Sequence, residues 1–475
     1  MPTQSARAFY GTLVHTPEPT HLEVHHNTLI IVSPTGTIQS LQPSTTANTI
    51  SSILASHNYT PETCPLTTLD RNEFLLPGFI DTHNHAPQWS QRGTGRGIDL
   101  LTWLEKITFP HEARCADTTH ATRLFKNCVA GGLKQGITTA CYYSSLHIEA
   151  TTILAQTCLE QGQRALIGRC AMDRNAPSWY VDADPATAIA ATETSIAQIQ
   201  ALDPSGELVR PVITPRFAIS CSYTTLQRLG DLAASHRELP IQTHFNESRG
   251  EIAFTKELFP QYDTEAEMYE SFGLLGPRTI LAHAIYPTEW EIARLQARRC
   301  GIAHCPTPNT TMDEFMVAPI REYLRRGMKV GLGTDCGGGF SGSMLEVMRW
   351  AFMVSVAGKG GVRGEDVAGS GGVGSEVKAG EEISLVEGLW MATAGGAKVA
   401  GLGDKVGCFA EGMEFDAMVV RTARWEDEEE GVDGVMALVE EGDDMEAVVE
   451  RFVMTGDDRN IRRVFVKGRE VKSLN

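Results

Sequence analysis

Long apolar runs, basic clusters and closely paired cysteines are all missing from this 475-residue chain, and each absence removes a class of function. No apolar stretch reaches the roughly 20 residues that a membrane-spanning helix needs. The opening MPTQSARAFYGTLVH lacks the basic-then-apolar order of a secretory leader, so a soluble, cytoplasmic protein with no membrane partner is expected. Basic residues are in deficit: 41 Lys plus Arg stand against 59 Asp plus Glu, giving a net charge of -18 and a pI near 5.3. With no basic run to offset that balance, nucleic acid is not an expected partner. None of the eleven cysteines belongs to a CxxC pair, which argues against a zinc ribbon or a redox dithiol. Reduced, buried thiols are expected instead, Cys336 beside Asp335 included.

What is present reads as one large α/β core between two β segments. Residues 1–75 contain the extended run HLEVHHNTLIIVS followed by a Ser/Thr/Asn-rich stretch, read as strands and turns. FDAMVV and RRVFVKGREV in 401–475 suggest that both ends of the chain combine into one small β domain. Between them, in 76–400, eight extended segments can be picked out: FLLPGFIDTHNH, GITTACYYS, ALIGRCAMD, LVRPVITPRF, LPIQTHFNE, TILAHAI, GIAHCPTPN and VGLGTD. Helical patterns at 121–134, 223–236 and 287–299 separate some of them, the alternation that a (β/α)8 TIM-like barrel requires, with a doubly wound sheet as the alternative. Two stretches break the pattern. The Gly-rich run near 357–382 reads as a flexible insertion, and 425–450 supplies two acidic clusters around a short helix.

The polar residues at the ends of these segments carry the chemistry. His83 and His85 are two apart, which turns both imidazoles to one face of an extended strand. Such a pair alone is weak evidence, and His25-His26 carries no functional implication. His244, His283 and Asp335, however, also stand where a segment ends, the face on which barrel active sites assemble. Neutral imidazoles with a carboxylate suit zinc, whose open position lowers the pKa of bound water toward about 7, although these ligands alone do not exclude iron. Glu247 lies three residues after His244 and overhangs the same point if the chain turns there, although a helix-start or surface carboxylate would also fit that position.

This order of residues resembles the amidohydrolase superfamily: HxH on the first strand, one His each on the fifth and sixth, and Asp on the eighth, here His83, His85, His244, His283 and Asp335. Two-metal members recruit a lysine from strand four, and LVRPVITPRF contains none. The resemblance therefore implies one Zn2+ per chain. PGFIDTHNHAPQW, VITPRFAISCS, THFNES, IAHCPTPN and GLGTDCGGG resemble more narrowly the guanine deaminases. That resemblance implies hydrolysis of guanine by water to xanthine and ammonia, in purine catabolism or salvage, by a homodimer. Glu247, Asp335 and His283 would be catalytic, and Gln88, Arg216, Phe217, Trp89 and His244 would meet the purine. Trp89 stands where Tyr is more usual. His304 and Asn309 would support the pocket. The alternatives are a one-metal amidohydrolase acting on another aminated heterocycle and a nonenzymatic zinc-binding assembly protein.

Overall fold

The computed structural model describes residues 5–359, 382–424 and 436–473. Eight short, fully or nearly fully buried strands form the centre: β6 (Phe79–His85), β7 (Ile137–Tyr143), β8 (Arg164–Gly168), β9 (Val209–Pro211), β10 (Ile241–Phe245), β11 (Thr279–His283), β12 (Gly301–His304) and β13 (Lys329–Leu332). They pair in parallel as two four-stranded runs, β6 to β9 and β10 to β13. A parallel bridge from Ile213 to Ile241 joins the runs on one side. On the other, Asp335 N–H donates to the His83 carbonyl at 2.8 Å, so the sheet closes on itself. Closure favours the barrel over a doubly wound sheet, because an open sheet keeps two unpaired edges.

Helices flank the strands where the apolar period had placed them, at Thr118–Lys134, Tyr223–Ser235 and Glu289–Arg298. Their starts are capped by Asp117, Ser222 and Thr288, whose side chains accept backbone N–H groups otherwise left without partners.

Both ends of the chain meet in a second, mostly antiparallel sheet. Its order is β18 (Arg469–Ser473), β17 (Ile461–Val466), β14 (Ala417–Arg421), β5 (Glu73–Pro77), β1 (Arg7–Glu18), β2 (His21–Val32) and β3 (Ile38–Gln42), with β4 (Leu66–Thr68) on β1. Phe9, Leu13, Ile30, Leu75, Phe415 and Phe465 form its core. Only Gly78 separates β5 of this sheet from β6 of the barrel, so the first barrel strand is anchored directly by the terminal sheet.

Two local readings differ. The Ser/Thr-rich stretch expected to be turns contains a short helix, Ile50–Ser56, because Ile50 and Leu54, four apart, bury one face. In the acidic region the helix lies after the second acidic cluster, at Met445–Thr455, capped by Asp444. Leu438–Val439 (β16) instead pairs with Ala423–Arg424 (β15). Residues 360–381 of the Gly-rich run and 425–435 of the acidic one lie outside the described residues.

Candidate active site

The carboxyl ends of β6, β10, β11 and β13 bring His83, His85, His244, His283 and Asp335 to one point, all buried. The ligand atoms of His83, His244 and His283 lie within 4.8 Å of one another, as do those of His83, His85 and Asp335. Asp335 Oδ1 is 3.2 Å from His83 Nε2 and 3.5 Å from His85 Nε2. The backbone is unusual there: His283 has φ 69° and Asp335 φ 42°, left-handed values that L-residues seldom adopt outside sites where geometry is imposed. Burial, with neighbouring imidazoles adding to it, pushes the pKa of His83, His85 and His244 well below the ordinary value, and burial lowers that of His283. All four are therefore neutral near pH 7, the form that binds a metal.

The unpaired atoms fit a cation. His83 has no hydrogen-bond partner on either ring nitrogen, and His283 Nε2 has none. The outer nitrogens are occupied: His244 Nδ1 donates to the Arg216 carbonyl at 2.6 Å and His283 Nδ1 to Asn309 Oδ1 at 2.9 Å. Those bonds fix the tautomer that leaves each Nε2 lone pair facing inward. Asn309 thus supports the site as expected. Asp81, which the sequence reading passed over, ties the two edges of the closure together. Its carboxylate accepts from Asn84 Nδ2 at 2.8 Å, Thr334 N at 2.9 Å and Thr334 Oγ1 at 2.6 Å.

Glu247 follows the expected turn: β10 ends at Phe245 and Asn246 reverses at φ 45°. Its Oε1 stands 3.6 Å from His283 Nε2. Burial, then the Asp335 charge, pushes its pKa well above the ordinary carboxylate range. Burial also raises that of Asp335.

A cleft opens over this cluster. Gln88, Arg216, Phe217, His244, Glu247, Asp335 and His85 line it, together with Leu100, Trp103 and Leu104. Trp89 does not. Its ring lies under the Arg92 guanidinium, 3.3 Å from centroid to Cζ, and lines a separate open cavity with Phe340 and Lys134. The nearby aromatic wall comes from Trp103, on the short helix Leu100–Trp103 between β6 and the first long helix.

That same connection supplies Glu112, which the sequence reading also missed. It is fully buried and accepts from Arg216 NH1 at 2.5 Å and NH2 at 3.1 Å, from Gln88 Nε2 at 2.8 Å and from Tyr180 OH at 2.8 Å. The apolar run LLTWLEKITFP beside Glu112 was a signal that this loop is buried.

Another imidazole and carboxylate group, His15, Glu23 and His25, lies in the terminal sheet. His15 Nδ1 accepts the Phe409 N–H at 3.2 Å, so its Nε2 carries the proton donated to Glu23 at 3.0 Å. A ring with both nitrogens so engaged offers no lone pair to a metal.

A closed parallel barrel with a buried imidazole and carboxylate cluster at its carboxyl ends defines a metal-dependent hydrolase architecture. The family model described as "Amidohydrolase family" matches residues 74–471. The chain is 39% identical over 98% of its length to a probable guanine deaminase of Schizosaccharomyces pombe, covering 83% of that protein. It is 34% identical over 98% of its length to guanine deaminase of Mus musculus, covering 96% of it. A guanine deaminase structure from C. acetobutylicum, with guanine bound in its active site, superposes with a TM-score of 0.83 at 30% identity, over 98% of this chain and 100% of that one. The chain belongs to the amidohydrolase family, on its guanine deaminase branch.

Proposed function

We propose that this cleft hydrolyses guanine to xanthine and ammonia, in purine catabolism or salvage. The observation that carries the reading is the meeting, in one cleft, of the neutral imidazole cluster, Glu247 with its pKa raised by burial, and the wall of Gln88, Arg216 and Phe217.

His83, His85, His244, His283 and Asp335 would hold one zinc per chain. When bound there, zinc supplies the Lewis acidity that makes water a nucleophile at neutral pH. The rest falls to side chains. Phe217 offers a flat apolar face to the ring, and Gln88 a donor and acceptor to its edge. Arg216 has five N–H donors and commits two bonds to Glu112, so donors remain for the oxo oxygen. An amino group there, as in adenine, would leave them unpaired in a dry site.

Glu247, whose pKa burial raises well above the ordinary carboxylate range, gives a proton to the ring nitrogen next to the carbon bearing the amino group, which offsets the charge developing there. Asp335 takes the proton that water releases, and His283, its Nδ1–H held by Asn309, would tune the metal through Nε2. Asp335 passes the proton from water on to the amine so that ammonia leaves, the added hydroxyl returns its proton to Glu247, and xanthine retains the oxygen of water. With Asp335 and Glu247 on the same cleft, the two proton transfers need not share one group.

The same proposal divides the chain into 1–75, 76–400 and 401–475, supported by the change from mixed sheet to parallel barrel after Gly78. The protein would be cytoplasmic, supported by eleven cysteines that are all free thiols. No helix among the described residues is long and apolar enough to cross a membrane. It would be a homodimer, and sedimentation showing a monomer at every concentration would remove that part alone. A panel of guanine, adenine, an aminopterin and an aminotriazine, with ammonia and the oxo product both measured, tests the substrate. Guanine should lead, and turnover of another heterocycle with guanine untouched would refute the choice.

A further inference from the structure

Glu112 touches two of the side chains assigned above to the purine, yet it is not among the residues lining the cleft. It sits on the helix Phe109–Ala113 with its side chain entirely out of solvent. Four donors converge on its two oxygens: Gln88 Nε2 and Arg216 NH2 on Oε1, Arg216 NH1 and Tyr180 OH on Oε2. With the lone pairs filled by donors, no position is left for a proton, and the group is a carboxylate. Arg216 is equally buried, its guanidinium over the Phe109 ring at 5.3 Å. The two charges cancel inside the wall, where an uncompensated ion would be costly.

We propose that Glu112 is the charge-selecting residue of the purine pocket: by cancelling the charge of Arg216 it makes the pocket hold a neutral oxopurine and disfavour the corresponding anion. The inference rests on the guanine reading. Its consequence concerns the product, because xanthine ionises more readily than guanine. A bare Arg216 would bind the xanthine anion and retain product, whereas the Glu112–Arg216 pair presents hydrogen-bond donors without net charge and lets the ionised product go. Glu112 is a positioning residue in this scheme, since it acts through Arg216 and Gln88.

Other titratable groups face the same region: Tyr180 and Cys170 beside the pair, His85 with Nδ1 4.0 Å from Glu112 Oε1, and His244, Glu247 and Asp335 around the cleft. A reference ligand must therefore remove their titration from the readout. Hypoxanthine, a weaker acid than xanthine and still mostly neutral where xanthine begins to ionise, serves. The experiment measures equilibrium binding of xanthine and hypoxanthine to the zinc-loaded protein from mildly acidic to mildly alkaline pH, for the parent, Glu112→Gln and Glu112→Asp.

In the parent the ratio of xanthine to hypoxanthine affinity should fall as xanthine ionises. In Glu112→Gln it should hold or rise, separating the two proteins by about tenfold or more at the alkaline end, a difference expected of a desolvated charge pair. Glu112→Asp keeps the charge and should follow the parent. Identical profiles in parent and Glu112→Gln, or a rising ratio in the parent, overturn the proposal. If Glu112→Gln does not fold, the parent and Glu112→Asp decide: a falling ratio in both supports it, and a flat or rising one overturns it. Guanine turnover is followed in parallel. A folded parent that neither binds either oxopurine nor turns over guanine refutes the guanine reading and this inference with it. Turnover without the ratio change refutes the inference alone.

Discussion

Burial makes Glu247 useful as an acid. A carboxyl with an ordinary pKa would be ionised at neutral pH and have no proton to give, whereas the dry wall and the adjacent Asp335 charge push this one well above the ordinary range, toward its protonated form. Glu247→Gln preserves shape and removes the transfer. We expect kcat on guanine to fall by about 10²–10⁴-fold, the usual contribution of a positioned acid or base, while zinc content and Tm stay near those of the parent. Steady-state kinetics with metal analysis checks this, and unchanged kcat would reassign the proton to another group. At this scale the sequence was informative about residues whose meaning is local. His83 and His85 are legible because two positions along a strand share a face, and Glu247 because it follows a strand-end histidine. Glu112 was not legible. Its partner Arg216 lies 104 positions away, and nothing local to either residue names the other.

The elements contribute by holding these side chains at unusual angles. After β13 the chain turns through Thr334, Asp335 and a run of glycines, with Arg96 donating to the carbonyls of Gly337 and Gly338. A Cβ on Gly338 would fall 2.4 Å from Asp335 Oδ2, so the carboxylate would have to move. Gly338→Ala should therefore lower zinc affinity or activity by about 10–100-fold, as displaced metal-site groups commonly do, with a smaller effect on Tm. Zinc retention on dialysis measures it, and full retention would mean that Asp335 tolerates the shift.

Behind β10 the Asn246–Glu247 turn is held by three buried carboxylates. Asn246 N–H donates to Glu265 at 2.9 Å, Glu247 N–H to Glu251 at 3.2 Å, and the Asn246 amide to Glu291 at 3.2 Å. Burial pushes Glu251 up to about 7, and burial together with the neighbouring Glu251 charge raises Glu265 well above the ordinary range. Both folded values exceed the unfolded ones, so the folded state binds more protons. The contribution of Glu251 is complete below the ordinary carboxylate range and is lost as pH rises through about 7, and Glu265 acts in the same direction. Glu265→Gln mimics the protonated donor at every pH. Above neutrality it should unfold about 2 °C higher than the parent, with a flatter profile of Tm against pH, and equal profiles would show that the pair does not retain the proton.

Over the whole molecule, the architecture was legible where periodicity and length agree. The eight barrel strands and the three helices named from sequence stand in the structure, because the strands are buried almost throughout and each helix buries one apolar face. The union of the two chain ends was legible only as similar strands at both termini. The pairing of β5 with β14 that joins them is set by side-chain packing over a separation that no local pattern records. The helix at Ile50–Ser56 was hidden because Ser, Thr and Asn compete locally with the helical backbone, and only tertiary burial of Ile50 and Leu54 overrides them. Trp89 read as a pocket wall by its neighbours in sequence, yet the 3-10 turn Ala86–Gln91 sends Gln88 inward and Trp89 outward.

The central claim, one zinc-dependent cleft that hydrolyses guanine, is tested most directly in water enriched in heavy oxygen. Metal-stripped protein should be inactive and should regain full activity at one zinc per chain. It should then yield xanthine carrying one heavy oxygen, at the carbon that held the amino group, with one ammonia for each xanthine. Folded, zinc-loaded protein that leaves guanine unchanged, or needs a second tightly held zinc for activity, would contradict the account.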